Sequence, residues 1–154
     1  MQAKSATRAL AAALAGAFLA VAPAASIAQS PAPQTVAKAS DHYRVVFQVS
    51  DADPAKWNLA LNNARNVQAE LGMDNVDVEI VAYGPGLGML KADSKVAPRL
   101  SSAMAQGVTL LACENTMHTT HVERSQIQGG VKFVDAGVVH IMKREREGWS
   151  YVRP

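Results

Sequence analysis

The residue of this chain whose type and surroundings could do chemistry is its only cysteine, Cys113. Cys113 ends the apolar run 108–113, and the residues that follow it, 114–117, are typical of a helix start. Free backbone N–H groups and the positive end of a helix dipole would then face the sulfur and favour the thiolate, the nucleophilic form of cysteine. The position therefore predicts a reactive thiol. The alternative is a small apolar side chain that fills a strand end.

The polar residues that follow Cys113 could act on its sulfur. Asn115 and Thr116 can donate hydrogen bonds to a thiolate or to a persulfide, whereas a carboxylate such as that of Glu114 disfavours a neighbouring thiolate. His118 lies five residues beyond Cys113 and could approach the sulfur as a base or as an ion-pair partner. A solvated histidine at a helix start is the alternative for His118.

A glycine-rich turn, 84–88, follows the second apolar run of the chain. It matches neither the Walker sequence nor the dinucleotide fingerprint, and no Lys-Ser/Thr pair follows it. Gly84 and Gly86 are therefore expected to let the backbone pass close to a pocket or to a neighbouring subunit. Tyr83 precedes the turn and can line that pocket, and packing alone is the alternative for its ring.

The elements that must position these residues alternate between two patterns. Short β-branched runs bounded by turn residues predict strands at 43–49, 76–83, 108–113, 131–134 and 138–142, with an edge strand in 148–154. Apolar residues at helical spacing predict a helix over 54–71, with Asp53 as its N-cap and Pro54 at its first position. Further helices are predicted from about 96 to Gly107 and after Cys113, where Thr120 and Glu123 fit a capping box.

This alternation is typical of an α/β fold with right-handed crossovers. We expect a three-layer sandwich with a mostly parallel five-stranded sheet. Ligand sites in such sheets lie at the carboxyl ends of the strands. The expected sheet therefore places the 50–53 segment, the glycine-rich turn and Cys113 at one edge.

The N-terminal residues indicate export. Residues 1–8 carry Lys4 and Arg8, residues 9–22 are an apolar run too short to span a bilayer, and small residues precede a cleavage site after Ala28. We therefore predict a signal peptide over 1–28, a flexible linker over 29–41, and a domain over 42–154 in the periplasm or secreted. The alternative is that this segment is retained as a membrane anchor. If it is cleaved after Ala28, we expect no stable membrane anchor.

Charge and histidine spacing exclude other classes of function. Residues 1–28 hold two of the 15 Lys and Arg and none of the 13 Asp and Glu, so the remaining chain has 13 of each sign. No basic surface is expected, which argues against a nucleic-acid partner. The histidines form no recognisable ligand pattern, so neither a metal nor an organic cofactor is predicted. These histidines are His42, His118, His121 and His140.

Several segments together resemble the DsrE/DsrF-like proteins, the group that includes the YchN-like proteins, and the match covers 42–154. They are Val81–Gly86, Gly107–Val108, Ala112–Met117, Gly137–Val139 as a closing strand, and Gly148–Pro154. The resemblance implies a mainly parallel α/β fold, assembled as a homotrimer or homohexamer. It also implies that Cys113 accepts sulfur as a persulfide and passes it on. Tyr83 and Asn115 match only as pocket-lining positions, and the best understood members are cytoplasmic, unlike the export predicted here.

Three hypotheses of function follow. The first is a periplasmic sulfur carrier or sulfurtransferase that takes sulfane sulfur from a small donor onto Cys113 and releases it to an acceptor thiol protein. The second is a non-catalytic oligomeric module that binds a small ligand and keeps Cys113 as a structural residue. The third is a redox sensor that links two chains through a Cys113 disulfide.

Overall fold

The chain alternates strands and helices along its length, and the computed structural model describes residues 42–154. The predicted signal peptide, 1–28, and the predicted linker, 29–41, lie outside the described residues. The strands are β1 (Tyr43–Val49), β2 (Val76–Ala82), β3 (Thr109–Cys113), β4 (Lys132–Val134) and β5 (Ser150–Val152). The helices are α1 (Pro54–Leu71), α2 (Ala97–Ala105), α3 (Glu114–Thr120) and α4 (Gly137–Arg146). Three short 3₁₀ segments cover Met73–Asn75, Gly84–Leu90 and Arg124–Gln126.

The five strands form one sheet in the order β4-β3-β2-β1-β5, and every pair in it is parallel. The expected five-stranded parallel sheet is therefore confirmed. The register aligns Val49 with Ala82 and Ala82 with Ala112, so neighbouring strands end at the same level. Because all strands run in one direction, their carboxyl ends meet at a single edge of the sheet.

Helices cover both faces of the sheet, which gives the three expected layers. On one face, Phe47 and Ile80 pack with Trp57 of α1 and Leu100 of α2 in the larger apolar cluster. On the other face, α4 places Ile141 in a smaller cluster. Its other buried members are Val46, Val81 and Leu111. A sheet covered on both faces explains why all residues of β2 except Asp77, and all residues of β3 except Thr109, are buried.

The start of α1 follows the sequence prediction. The Asp53 carboxylate accepts a hydrogen bond of 2.8 Å from the backbone N–H of Ala55, and Pro54 occupies the first helical position. Trp57 is buried and its indole N–H donates to the carbonyl of Asp51 at 2.7 Å. The segment after β1 is therefore held in place by both capping and burial.

The predicted strand over 138–142, and the closing strand Gly137–Val139 of the resemblance, are wrong, because these residues form the first part of α4. Their β-branched run favours a strand by local preference alone. The topology overrides that preference, since β4 and β5 are parallel and lie at opposite edges of the sheet. A connection between them must cross the whole sheet, and α4 makes that crossing.

The predicted capping box at Thr120 and Glu123 is also wrong. Thr120 is the last residue of α3, and its hydroxyl donates to the carbonyl of Thr116 at 2.7 Å. A capping box at Thr120 would begin a helix there, whereas α3 begins directly after Cys113, as residues 114–117 predicted, and ends at Thr120. A capping box forms three residues later, between Glu123 and Gln126, at the start of the 3₁₀ segment Arg124–Gln126.

Candidate functional site

Cys113 lies at the carboxyl edge of the sheet, at the end of β3 and directly before α3. Its side chain is 5% exposed. The sulfur accepts a hydrogen bond of 3.2 Å from the backbone N–H of Gly137, the first residue of α4. It also lies 4.0 Å from the carbonyl oxygen of Asp135. The starts of two helices therefore meet at this sulfur, which extends the environment predicted from the sequence.

The close approach of α4 to the sulfur depends on the absence of a side chain at Gly137. A Cβ atom there would lie 3.2 Å from Cβ of Tyr83 and 3.2 Å from Cγ1 of Val81. Such contacts are tighter than ordinary van der Waals packing, so a larger residue would push the helix start away from the sheet. Gly137 thus lets a backbone N–H reach Cys113, and it also places Tyr83 beside the site.

Thr116 of α3 holds the glycine-rich turn next to the site. Its Oγ1 accepts a hydrogen bond of 2.9 Å from the backbone N–H of Gly84, which has a positive φ of 52°. The Thr116 side chain also lowers the pKa of the Cys113 thiol, because its hydroxyl favours the thiolate. The sequence predicted Thr116 as a donor and Gly84 as a pocket-lining residue, and the structure joins these two residues by this hydrogen bond.

The pKa of the Cys113 thiol is lowered from its ordinary value. Burial is the largest single influence and raises this pKa, because it disfavours the charged form. Hydrogen bonds to the thiolate outweigh it, first from the Thr116 side chain and then from the backbone N–H of Gly137. The N–H groups of Thr116 and Asn115 add to this, although that of Asn115 also donates to the carbonyl of Asp135 at 3.0 Å.

Tyr83 is half-buried next to Cys113. Burial raises the pKa of its phenol, the charge of Tyr151 raises it further, Arg153 lowers it, and Cys113 raises it slightly. The phenol therefore stays protonated across the pH range in which the thiol ionises. It can donate a hydrogen bond to a group held at the carboxyl edge.

Gly86 allows close backbone packing between the glycine-rich turn and the end of β1. A Cβ atom at Gly86 would lie 2.2 Å from the carbonyl oxygen of Val49 and 2.9 Å from Cα of Ser50. The glycine-rich turn therefore passes directly over the end of β1. The close approach expected of this glycine is present, and the structure places it against the neighbouring strand.

His118 lines a different cavity from the surroundings of Cys113. This cavity measures about 410 Å³ and lies along α3 and the turn after it. Its lining residues are Glu114, Met117, His118, His121, Val122, Glu123 and Arg124. Glu114 forms an ion pair with Arg124, so its charge is compensated away from the sulfur. Within 42–154, no group of three or more His, Cys, Asp or Glu residues is arranged to hold a metal.

Sequence reasoning missed two features of this region. The sequence predicts a strand that includes Gly137, and a strand there does not bring the Gly137 N–H to the sulfur. Glu79, His140 and Arg144 form a hydrogen-bonded cluster between β2 and α4, in which the Glu79 carboxylate is buried. The spacing of His140 and Arg144, four residues apart on one helix face, could have indicated it once 137–146 was assigned as helical.

Several solved structures are similar to this chain. A protein of unknown function, MTH1491 from Methanobacterium thermoautotrophicum, is 38% identical with a TM-score of 0.70, and the match covers 73% of this chain and 99% of that one. The E. coli ychN protein is 15% identical with a TM-score of 0.57, over 73% of this chain and 99% of that one. A conserved protein of unknown function, BT1422 from Bacteroides thetaiotaomicron, is 14% identical with a TM-score of 0.55, covering 72% and 94%. No protein-family model and no curated protein matches the sequence.

None of the helices in 42–154 combines the length and apolar character needed to cross a membrane.

Proposed function

Because the chain belongs to the YchN/DsrE-like family, we propose that it is a sulfur-handling protein that accepts sulfane sulfur on Cys113 as a persulfide. The observation that carries this proposal is the hydrogen bonding of the Cys113 sulfur. It accepts the Gly137 N–H at 3.2 Å, and the donors around it lower the pKa of the thiol despite its burial. A buried cysteine that only filled space would have a raised pKa.

The proposed chemistry is a pair of thiolate displacements. The Cys113 thiolate attacks the sulfane sulfur of a donor such as a polysulfide or thiosulfate, an S–S bond to Cys113 forms, and the S–S bond of the donor breaks. The leaving group departs as the shorter polysulfide or as sulfite and takes the electron pair of the broken bond. An acceptor thiolate then attacks the outer sulfur and releases the Cys113 thiolate. No net oxidation occurs, because the sulfane sulfur moves at a constant oxidation state.

The surrounding groups fit the anionic intermediate. The terminal sulfur of a Cys113 persulfide carries the negative charge, and it lies one S–S bond beyond Sγ of Cys113. The Thr116 hydroxyl and the Gly137 N–H stabilise an anion on the sulfur, and the Tyr83 phenol supplies a further donor. Asn115 is exposed beside them at the start of α3 and can contact an acceptor.

We also propose that the protein acts after export, as an assembly of identical chains. Signal-like residues over 1–28 support the export. Exposed apolar side chains on α4, with Val138 50%, Val139 47% and Met142 57% exposed, support self-association. Light scattering of the purified chain tests the assembly, and the N-terminal sequence of the exported chain tests cleavage after Ala28.

Intact-mass spectrometry tests the persulfide directly. The purified domain is mixed with polysulfide or thiosulfate beside the Cys113→Ser variant, and each sample is measured with and without a reductant. We expect a gain of one sulfur atom on the wild type only, and we expect the reductant to remove it. If neither donor adds sulfur, and the folded thiol also resists alkylation, Cys113 is a structural residue and the carrier proposal is wrong.

The burial of Cys113 favours one second candidate. With only 5% of the side chain exposed, a non-catalytic small-ligand module would keep this residue for packing. That function predicts that Cys113→Ala retains ligand binding and assembly. The sulfur-carrier function predicts that the same variant loses all sulfur transfer.

A further inference from the structure

A buried carboxylate lies beneath α4, away from the sulfur. Glu79 is in the middle of β2 and only 6% exposed. Its side chain points to the face of the sheet that α4 covers, together with Val81 two residues later. A carboxylate in such a place is costly to bury unless charged partners and hydrogen bonds compensate it.

Two residues of α4 bind this carboxylate. His140 Nε2 lies 2.8 Å from Oε2 of Glu79, and the Arg144 guanidinium donates to both oxygens, at 2.9 Å from Nε and 2.7 Å from Nη2. A two-point arginine contact fixes orientation as well as distance. The guanidinium is held in turn by Glu147 at 2.7 Å and by the Trp149 ring, with 4.6 Å to its centroid.

Such a buried cluster contributes little to stability compared with apolar residues of the same size. The cluster instead defines the position of α4 on the sheet. Apolar contacts such as those around Ile141 have no fixed direction, whereas a carboxylate bound by two residues four apart on one helix fixes both the height and the rotation of α4. The same helix begins at Gly137, whose N–H reaches the Cys113 sulfur at 3.2 Å.

We propose that Glu79 is a positioning residue for Cys113: by holding His140 and Arg144, it fixes the start of α4 over the sulfur and so maintains the thiolate. This inference rests on the proposed reactivity of Cys113, but it concerns the ionisation of the thiol and not sulfur transfer. The effect is transmitted along α4, a helix of ten residues, from His140 and Arg144 to the backbone N–H of Gly137.

The sign of the change in the Cys113 pKa separates this mechanism from simple electrostatics. Replacing Glu79 by Gln removes a negative charge, which by itself would favour the thiolate and lower the pKa of the thiol. Loosening of α4 removes a hydrogen bond to the thiolate and raises the pKa. We therefore expect Glu79→Gln to raise the pKa of Cys113 by about one unit, a tenfold loss of thiolate below the pKa.

The measurement is an NMR pH titration of the full domain labelled at cysteine, because a single cysteine gives a single Cβ signal. Asp77→Asn is the matched control, since Asp77 lies two residues away on β2 but is exposed and pairs with His42 at 3.0 Å, not with α4. The control should leave the pKa unchanged or slightly lowered. An unchanged or lowered pKa in Glu79→Gln would overturn the proposal.

A second variant covers the case in which Glu79→Gln fails to fold. Glu79→Leu combined with Arg144→Met removes both charges and restores apolar packing, which buried ion pairs often tolerate. We expect it to fold, to raise the pKa of Cys113, and to abolish the shift of the Gly137 amide signal on thiol ionisation. A wild-type pKa and a retained amide shift would refute the proposal. Absence of sulfur transfer in the wild type would refute only the carrier function.

Discussion

The hydroxyl of Thr116 offers the sharpest test of the site, because one atom serves two neighbours. Its oxygen accepts the Gly84 N–H at 2.9 Å, and the Thr116 side chain lowers the pKa of the Cys113 thiol. Thr116→Val keeps the shape of the side chain and removes both interactions. Thr116→Ser is the matched control, since it keeps the hydroxyl and loses only a methyl group.

The size of the effect follows from these two contacts. A hydrogen bond to a charged group contributes about 1.5 to 3 kcal/mol, and one pKa unit corresponds to about 1.36 kcal/mol. Sulfur is a diffuse acceptor, so we take the lower limit and expect Thr116→Val to raise the pKa of Cys113 by about one unit. The unpaired N–H of Gly84 should also lower the free energy of unfolding by about 1 kcal/mol.

Two measurements check this prediction. Ultraviolet absorbance of the thiolate, taken as the difference from Cys113→Ser, gives the pKa of the thiol in each variant. Urea unfolding gives the free energy at a pH below the thiol pKa, where only the Gly84 contact contributes. The reasoning is refuted if Thr116→Val keeps the wild-type pKa, or if Thr116→Ser raises it by the same amount.

The remaining predictions concern packing and pH. Gly86→Ala should destabilise the fold by about 3 kcal/mol or more in urea unfolding, because its Cβ would lie 2.2 Å from the carbonyl oxygen of Val49. Gly88→Ala is the control and should cost under about 1 kcal/mol, since its Cβ meets only the Trp57 ring edge at 3.4 Å; equal losses would contradict the assignment. The lowered pKa of Cys113 stabilises the fold fully above the pKa of the unfolded thiol, and this contribution fades as pH falls through the folded pKa. Wild type should therefore gain stability over Cys113→Ser as pH rises through that window, and parallel stability curves would rule this out.

The sequence predicts the fold correctly where the local preference of a segment and its place in the tertiary structure favour the same element. The β1 run and the α1 helix with its Asp53 cap were predicted with the bounds that the structure shows, because their patterns match both their local preference and their burial. The parallel sheet followed from the alternation of strands and helices. The strand predicted over 138–142 failed because the crossing from β4 to β5, a property of the whole topology, demands a helix there.

The candidate site was accessible only in part, for a similar reason. Cys113 and Thr116 are close in the chain, so a local pattern predicted them as neighbours. Gly137 and Glu79 act from distant segments, and the contacts that join them to the site are set by the register of β2 and β3 and by the path of α4. No local pattern of one sequence contains that register. Assigning α4 correctly would have been sufficient to place His140 and Arg144 on one face.

The short strand β5 has a consequence for how the protein behaves when it is damaged. Its three residues pair with 45–47 and cover the outer edge of β1, which carries the most β-prone run of the described chain, and the Tyr151 hydroxyl donates to Gln48 beside it. Removal of 150–152 would uncover a seven-residue edge of high β-preference in place of a three-residue one. Proteolytic trimming at this strand should therefore lead to aggregation through strand-to-strand pairing between molecules.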